Sequence, residues 1–362
     1  VYLTPCTQNI KLINKIFYNL KPLIPRRLQI LLRRLLVRIR LKKISRIWPI
    51  DPAAGAPPQN WTGWPAGKKF ALVLSHDVDT CRGYENCLQL MQLEKKLGFK
   101  SSFNFVPERY GDSVDGRAEI VENGFEVGVH GLRHDGKLFY SPEKFAESAV
   151  HINRYLAEWN AAGFSSPSMH HNLSWMHILN IEYDISTFDT DPFEPQPDGV
   201  GTIFPFIVRN ENNKGLKLGG LEAGKPIEGK GRDSGENPTN PINPITRAAS
   251  QLPGFPASRP PGFFIELPYT LPQDFTLFVL MQEKSIDIWK RKLDWIAEKG
   301  GMALLNTHPD YMSFNHADGG NETYPVKLYA EFLEYIRDRY KGQYWHALPR
   351  DVAAFLRQDR QD

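Results

Sequence analysis

Residues 70–79 read FALVLSHDVD. The apolar run Phe70–Ser75 has the character of a buried strand. It opens onto two carboxylates, Asp77 and Asp79, set two residues apart. In parallel α/β folds, ligands bind at the C-terminal ends of strands. A strand end of this kind can direct one carboxylate at a cation while its neighbour stands beside it as a base. The alternative is a turn capped by a pair of Asp side chains. His76 is a candidate for a supporting hydrogen bond.

Outward from this stretch the chain alternates. A helix is predicted over Tyr84–Leu97, closed by Gly98, then a strand over Ser102–Val106. A short helix ends at Ile120–Glu122 before Gly124, and a strand follows over Phe125–Val129. Ser141 followed by Pro142 marks the start of a long helix reaching Ala161. Leu173–Asn180, Lys284–Glu298 and Pro325–Tyr340 read as helices, and Glu182–Ser186, Thr202–Val208, Gly262–Leu267 and Met302–Asn306 as strands. This order predicts an α/β fold with a largely parallel sheet. Residues 210–261 interrupt it with Gly, Pro and Asn and no periodic segment. Such a stretch is either a long surface loop shaping a cleft or plain disorder.

Two further strand ends carry histidine. His130-Gly131-Leu132-Arg133-His134 follows Phe125–Val129, and two His four apart converge on one cation if the stretch makes a helical turn. Two His and one Asp form a facial set for Zn²⁺ or another divalent transition ion, with positions left open for water and substrate. Leu305-Asn306-Thr307-His308-Pro309 follows Met302–Asn306 and brings His308 to the same mouth. His170, His171, His316 and His346 have no comparable placement.

These three motifs, in this order, resemble the NodB-homology polysaccharide deacetylases, carbohydrate esterase family 4. The resemblance spans roughly residues 66–350. It implies a distorted (β/α)7-type barrel and hydrolysis of acetyl groups from an N-acetylated polysaccharide or glycan. SHDVD at 75–79 resembles the family's first motif, which implies Asp77 as base and Asp79 as metal ligand. HGLRH at 130–134 implies His130 and His134 as the other ligands, and LNTHP at 305–309 implies His308 as general acid. The implied cofactor is a divalent metal, Zn²⁺ first, with Co²⁺, Ni²⁺ or Mn²⁺ as alternatives. Exopolysaccharide or cell-envelope chemistry is the implied setting.

The chain departs from the family twice. Gly131 stands where Ser or Thr is usual, and the R-x-P-Y motif has its best counterpart in Ser165-Ser166-Pro167-Ser168. Ser165 then replaces the Arg that orients the catalytic Asp. The backbone N–H at Ser168 can still serve an oxyanion. Arg82 and Arg133 are candidate substitutes for the lost Arg, and Asp184 is a candidate supporting residue. The rival readings are an amidase for another small C–N substrate, or a catalytically impaired carbohydrate-binding or assembly protein.

Composition adds bounds. The 362 residues are 41% hydrophobic and 23% charged, enough for a full core. No run of 18 apolar residues offers a spanning helix. Cys6, Cys81 and Cys87 are too few for a disulfide framework and lack zinc-pair spacing. The net charge of +3 hides an asymmetry. Residues 1–50 hold twelve Lys and Arg and no acid, and the rest hold 32 basic and 41 acidic residues.

The expected organisation is a basic amphipathic helical arm over 1–48, a Pro/Gly/Trp-rich linker over 49–67, a catalytic domain over 68–350 and a tail over 351–362. Within Lys11–Arg46, broken by Pro22 and Pro25, Leu28, Leu32, Leu35 and Ile39 share a face. That face packs on the body or a second subunit, lies on an anionic membrane, or belongs to an arm binding a polyanion. Nucleic acid is not an expected partner. No signal peptide is evident, which fits a cytoplasmic protein, peripheral at the inner membrane face if the arm binds lipid.

Overall fold

The computed structural model describes residues 24–44, 48–110, 115–196, 198–210, 262–315, 320 and 322–358. The loop expected at 210–261, the first arm segment at 11–22, Cys6 and His316 lie outside them, apart from Asn210. The strands are β1 (Phe70–Val78), β2 (Ser102–Phe105), β3 (Glu126–His130), β4 (Gly163–Ser165), β5 (Tyr183–Asp184), β6 (Phe206–Arg209), β7 (Phe263–Glu266), β8 (Met302–Thr307), β9 (Met312–Ser313), β10 (Tyr324–Pro325) and β11 (Tyr344–His346). The helices are α1 (Arg26–Ile44), α2 (Cys81–Leu97), α3 (Asp115–Glu122), α4 (Pro142–Glu158), α5 (Leu173–Met176), α6 (Asp287–Lys299), α7 (Lys327–Arg339) and α8 (Pro349–Gln358).

β1 organises the sheet. All nine of its residues are buried, as the continuous apolar run requires of a strand covered on both faces. It pairs in parallel with β2 through Ser75–Val78, with β8 through Ala71–His76 and with β11 through Phe70–Leu72. From β2 the sheet continues through β3, β4, β5 and β7, all parallel, and ends on β6, antiparallel to β7. An isolated parallel bridge at Phe188–Tyr269 joins the chain after β5 to the chain after β7, and one at Leu271–Leu305 brings the latter against β8. The result is a curled, mixed sheet with flanking helices. The curl of a distorted barrel is there, but the strands thin to two residues at β5 and one edge runs antiparallel.

Local chemistry explains the helix limits. α2 stops at Gly98 in the left-handed conformation (φ 86°), whose N–H bonds the Glu94 and Lys95 carbonyls. α4 starts where Ser141 Oγ accepts from Lys144 N at 3.2 Å, with Pro142 in the first turn. Its buried Phe145, Ala149, Ile152 and Leu156 follow helical spacing.

The linker is tied down by aromatic residues. Trp64 is buried and donates to the Gly300 carbonyl at 2.8 Å, and Trp61 packs edge-on against it. Residues 351–358, expected as tail, are helical, and α8 buries Val352, Ala353 and Leu356. Among the described residues no helix is long and apolar enough to cross a membrane.

The arm corrects one expectation. α1 docks through Ile30 and Val37, which enter the main core, and not through Leu28, Leu32, Leu35 and Ile39, which stay exposed. Each docked side chain contributes about 1.5–3 kcal/mol by burial. Arg34 Nε donates to the Val279 carbonyl at 2.9 Å and Arg40 to the Pro192 carbonyl at 3.0 Å. The Arg33 guanidinium lies 4.8 Å over the Phe275 ring.

Candidate metal centre

Asp79 stands just past β1, His130 ends β3, and His134 follows in the next loop. Asp79 Oδ1 lies 3.3 Å from His130 Nε2 and 3.0 Å from His134 Nε2. One ligand atom from each residue falls within 4.8 Å of the others. His130 Nδ1 sits 3.1 Å from the Ser165 carbonyl, which orients the ring with Nε2 toward Asp79.

The donor set fits a divalent transition ion, and one detail of the structure supports the fit. Asp79 Oδ1 is buried and accepts no well-directed hydrogen bond despite its two imidazole neighbours. Burial works to raise the Asp79 carboxyl, and His134 and His130 outweigh it, holding it well below the usual carboxylate range. A buried anion facing two ring nitrogens without hydrogen-bond alignment is what a shared cation would satisfy.

The His130–His134 stretch is a loop and not the helical turn its spacing suggested. Gly131 and His134 both take positive φ, 62° and 54°. A Cβ on Gly131 would meet the Pro167 ring at 2.6 Å. The absence of the usual Ser or Thr is therefore a requirement of this backbone and of its close approach to Pro167.

Asp77 is buried beside the triad, its Oδ1 3.5 Å from His130 Nδ1. Three neutral donors hold it. Asn104 Nδ2 reaches Oδ1 at 2.9 Å, Asn306 Nδ2 reaches Oδ2 at 2.7 Å, and Ser165 Oγ reaches Oδ2 at 3.2 Å. Neither Arg considered as a substitute does this. Arg133 pairs with Glu108 at 2.6 Å, and Arg82 is exposed. The Asn104 and Asn306 carbonyl oxygens are themselves buried without hydrogen-bond partners.

His308 opens the loop after β8. Its Nδ1 lies 2.8 Å from Asp274 Oδ1, and its N–H donates to Asp274 Oδ2 at 2.9 Å. Tyr324 OH donates to the same Oδ2 at 3.0 Å. Burial alone would lower the His308 pKa, but Asp274, helped by Asp79 and Asp77, pushes it up to about 10. Tyr311 packs on the imidazole with ring centres 5.2 Å apart.

The remaining candidates fall into supporting places. His76 points away from the triad, toward Thr307 Oγ1 at 2.7 Å and Glu94 Oε1 at 2.9 Å. Asp184 is fully buried and accepts from Ser186 N and Oγ, and Ser186 Oγ accepts in turn from Ser166 N. Asp184 thus supports the turn after β4, which holds Ser168 at φ 58°. Burial pushes its carboxyl up to about 6. A cavity of about 120 Å³ adjoins the triad, lined by His134, Leu138, Lys144, His151, Pro167 and His170 among others.

Sequence reasoning missed Asp274, Asn104 and Asp310. Asp310 accepts from Asp79 N at 2.9 Å and from Thr80, bracing the turn that presents Asp79. Asn104 did leave a signal, as a polar residue between Phe103 and Phe105 in the expected strand Ser102–Val106. Asp274 left none, lying in an irregular stretch far from His308 in sequence.

Fold and site together define the class: a polysaccharide-deacetylase fold of the NodB-homology kind carrying an Asp-His-His triad suited to a divalent metal. The chain is similar to a putative polysaccharide deacetylase from Mycobacterium smegmatis, at 13% identity and TM-score 0.56, over 84% of this chain and 96% of that one. It is similar to a probable polysaccharide deacetylase from Pseudomonas aeruginosa PAO1, at 13% identity and TM-score 0.52, over 83% and 94%. It is also similar to the Puue allantoinase, at 14% identity and TM-score 0.54, over 86% and 98%. These likenesses are of fold. No protein-family model and no curated protein sequence matches the chain.

Proposed function

We propose that this protein is a metal-dependent hydrolase that removes acetyl groups from an N-acetylated glycan. The observation that carries the reading is the arrangement of Asp77 and His308 about the Asp79–His130–His134 triad, each with its own buried partners. A divalent cation held by that triad, Zn²⁺ by preference for the donor set, supplies Lewis acidity toward an acyl oxygen and a water.

The chain's own groups do the rest. Asp77, held by Asn104, Asn306 and Ser165, takes a proton from the attacking water. The backbone N–H at Ser168 donates to the oxygen that gains charge. His308, kept protonated by Asp274, gives its proton to the departing amine nitrogen as the C–N bond breaks. Acetate and a free amino sugar are the products. Replacement of the missing Arg by an amide clamp favours a working site over an impaired one, because the base keeps fixed partners.

A second reading is an amidase acting on another small C–N substrate. The compact cavity beside His134 and the similarity to an allantoinase both favour it. The test is incubation of the zinc-loaded protein with N-acetylglucosamine oligomers, acetylated xylan and small cyclic ureides, measuring acetate, free amine, and ureide loss with the carboxylic acid that ring opening produces. Acetate with free amine from the oligomers supports deacetylation, and ring-opened acid from the ureides supports the second reading. Turnover of neither would overturn both.

A further inference from the structure

The catalytic reading leaves α1 without a task. Two faces of this helix differ. Ile30 and Val37 are buried in the core, while Leu28, Leu31, Leu32, Leu35, Leu36 and Ile39 are 45–61% exposed. At helical spacing these six residues form one continuous stripe roughly opposite the docked face. Among the described residues the only other exposed large hydrophobic side chain is Val121. Among the described residues, apolar exposure is thus concentrated on one side of one helix, a patch that marks an interaction site.

Charge selects the occupant. α1 contains eight Arg and Lys and no acidic residue. Arg27, Arg38 and Lys42 are exposed along one edge of the stripe. Residues 1–23 would bring three more Lys and no acid, and the same helix of a second copy would bring eight more cations. Both would set positive charge against positive charge. A surface that is apolar beneath and anionic above satisfies both halves of the pattern, and an anionic lipid bilayer is such a surface.

We propose that α1 seats this protein on an anionic bilayer, with the leucine stripe in the acyl–headgroup boundary and Arg27, Arg38 and Lys42 at the lipid phosphates. The helix does not cross the membrane. Its opposite side is bound to the body, so docking is rigid. Arg33 lies over Phe275, Phe275 packs on Tyr311 at 4.8 Å, and Tyr311 packs on His308. Three contacts therefore separate the helix from His308, which holds the site close to the membrane plane.

The test is co-sedimentation of the full chain with phosphatidylcholine vesicles, either pure or with about one-third phosphatidylglycerol. The intact protein should pellet with the anionic vesicles and not with the neutral ones, and added salt should weaken the binding. Leu32→Ser with Leu35→Ser should cut the partition at least about tenfold while leaving thermal stability unchanged, since both side chains are exposed. Arg27→Gln with Arg38→Gln reads the charge half independently and should cut it by about tenfold or more. Equal binding of wild type and both variants would overturn the proposal, as would absence of vesicle binding. A lipid-independent dimer that the Leu variant converts to monomer would overturn it in favour of a second copy.

Discussion

Replacing Asp274 with Asn should move the alkaline limit of activity to lower pH. The general acid must carry a proton, so its working form is complete well below the His308 pKa and is lost as pH rises through it. That pKa is pushed up to about 10, with Asp274 the main opponent of burial. The bond at 2.8 Å from His308 Nδ1 to Asp274 Oδ1 is charge-assisted, a kind worth about 1.5–3 kcal/mol. At about 1.4 kcal/mol per pKa unit this corresponds to a fall of about one to two units. Asp77 also favours the protonated ring, so part of the elevation should survive.

The assay is the pH dependence of kcat for acetate release by the metal-loaded enzyme. The alkaline limb should fall by about one to two pH units, and kcat at high pH should drop about 10–100-fold. Asn also places an amide among donors that now face a carboxylate, so melting temperature and metal content serve as controls. Tyr324→Phe removes a neutral bond from the same carboxylate and should leave the limb nearly in place. A folded, metal-loaded Asp274→Asn enzyme with an unshifted alkaline limb would refute the role given to this pair.

Other outcomes follow from the same geometry. Asn306→Ala should lower kcat by about 10–100-fold with little change in KM or metal affinity; an equal loss of zinc binding by calorimetry would contradict a clamp acting on Asp77 alone. Asp79→Ala should abolish both metal binding and turnover, whereas His308→Ala should keep the metal and lose turnover, read by metal content beside rate. Gly131→Ser restores the side chain usual in the resembling family, yet should destabilise the protein by about 1–3 kcal/mol in urea unfolding and impair activity, because it meets Pro167. Lys292→Ala strands Asp189, its buried partner, and should cost about 3–5 kcal/mol by the same measurement.

The parts legible in the sequence were those written locally. Phe70–Ser75 announced β1 because a strand covered on both faces needs an unbroken apolar run. Ser141-Pro142 and Gly98 marked helix ends because caps depend on one or two residues. Asp79, His130 and His134 were legible as strand-end residues because their positions depend on elements with clear periods. The clamp on Asp77 was not, since Asn104 and Asn306 meet it only through the pairing of β2 and β8 with β1. The side of α1 that docks was not legible for the same reason: both sides of the helix are apolar, and only tertiary contact selects Ile30 and Val37. The helix after Pro349 was missed because its buried face spans little more than two turns.

The pairing of β1 also bears on how the protein is made. Its partners lie at residues 102–105, 302–307 and 344–346, so its full complement of neighbours exists only once residue 346 has left the ribosome. Docking of α1 waits equally on residues 275–280. Contacts of such long range are slow to form and leave apolar surface uncovered meanwhile. During synthesis the stretch FALVLS and the leucines of α1 are exposed together. Assembly in the cell should therefore be sensitive to chaperone capacity, and a chain ended before Tyr344 would leave β1 short of a partner at its very first residues.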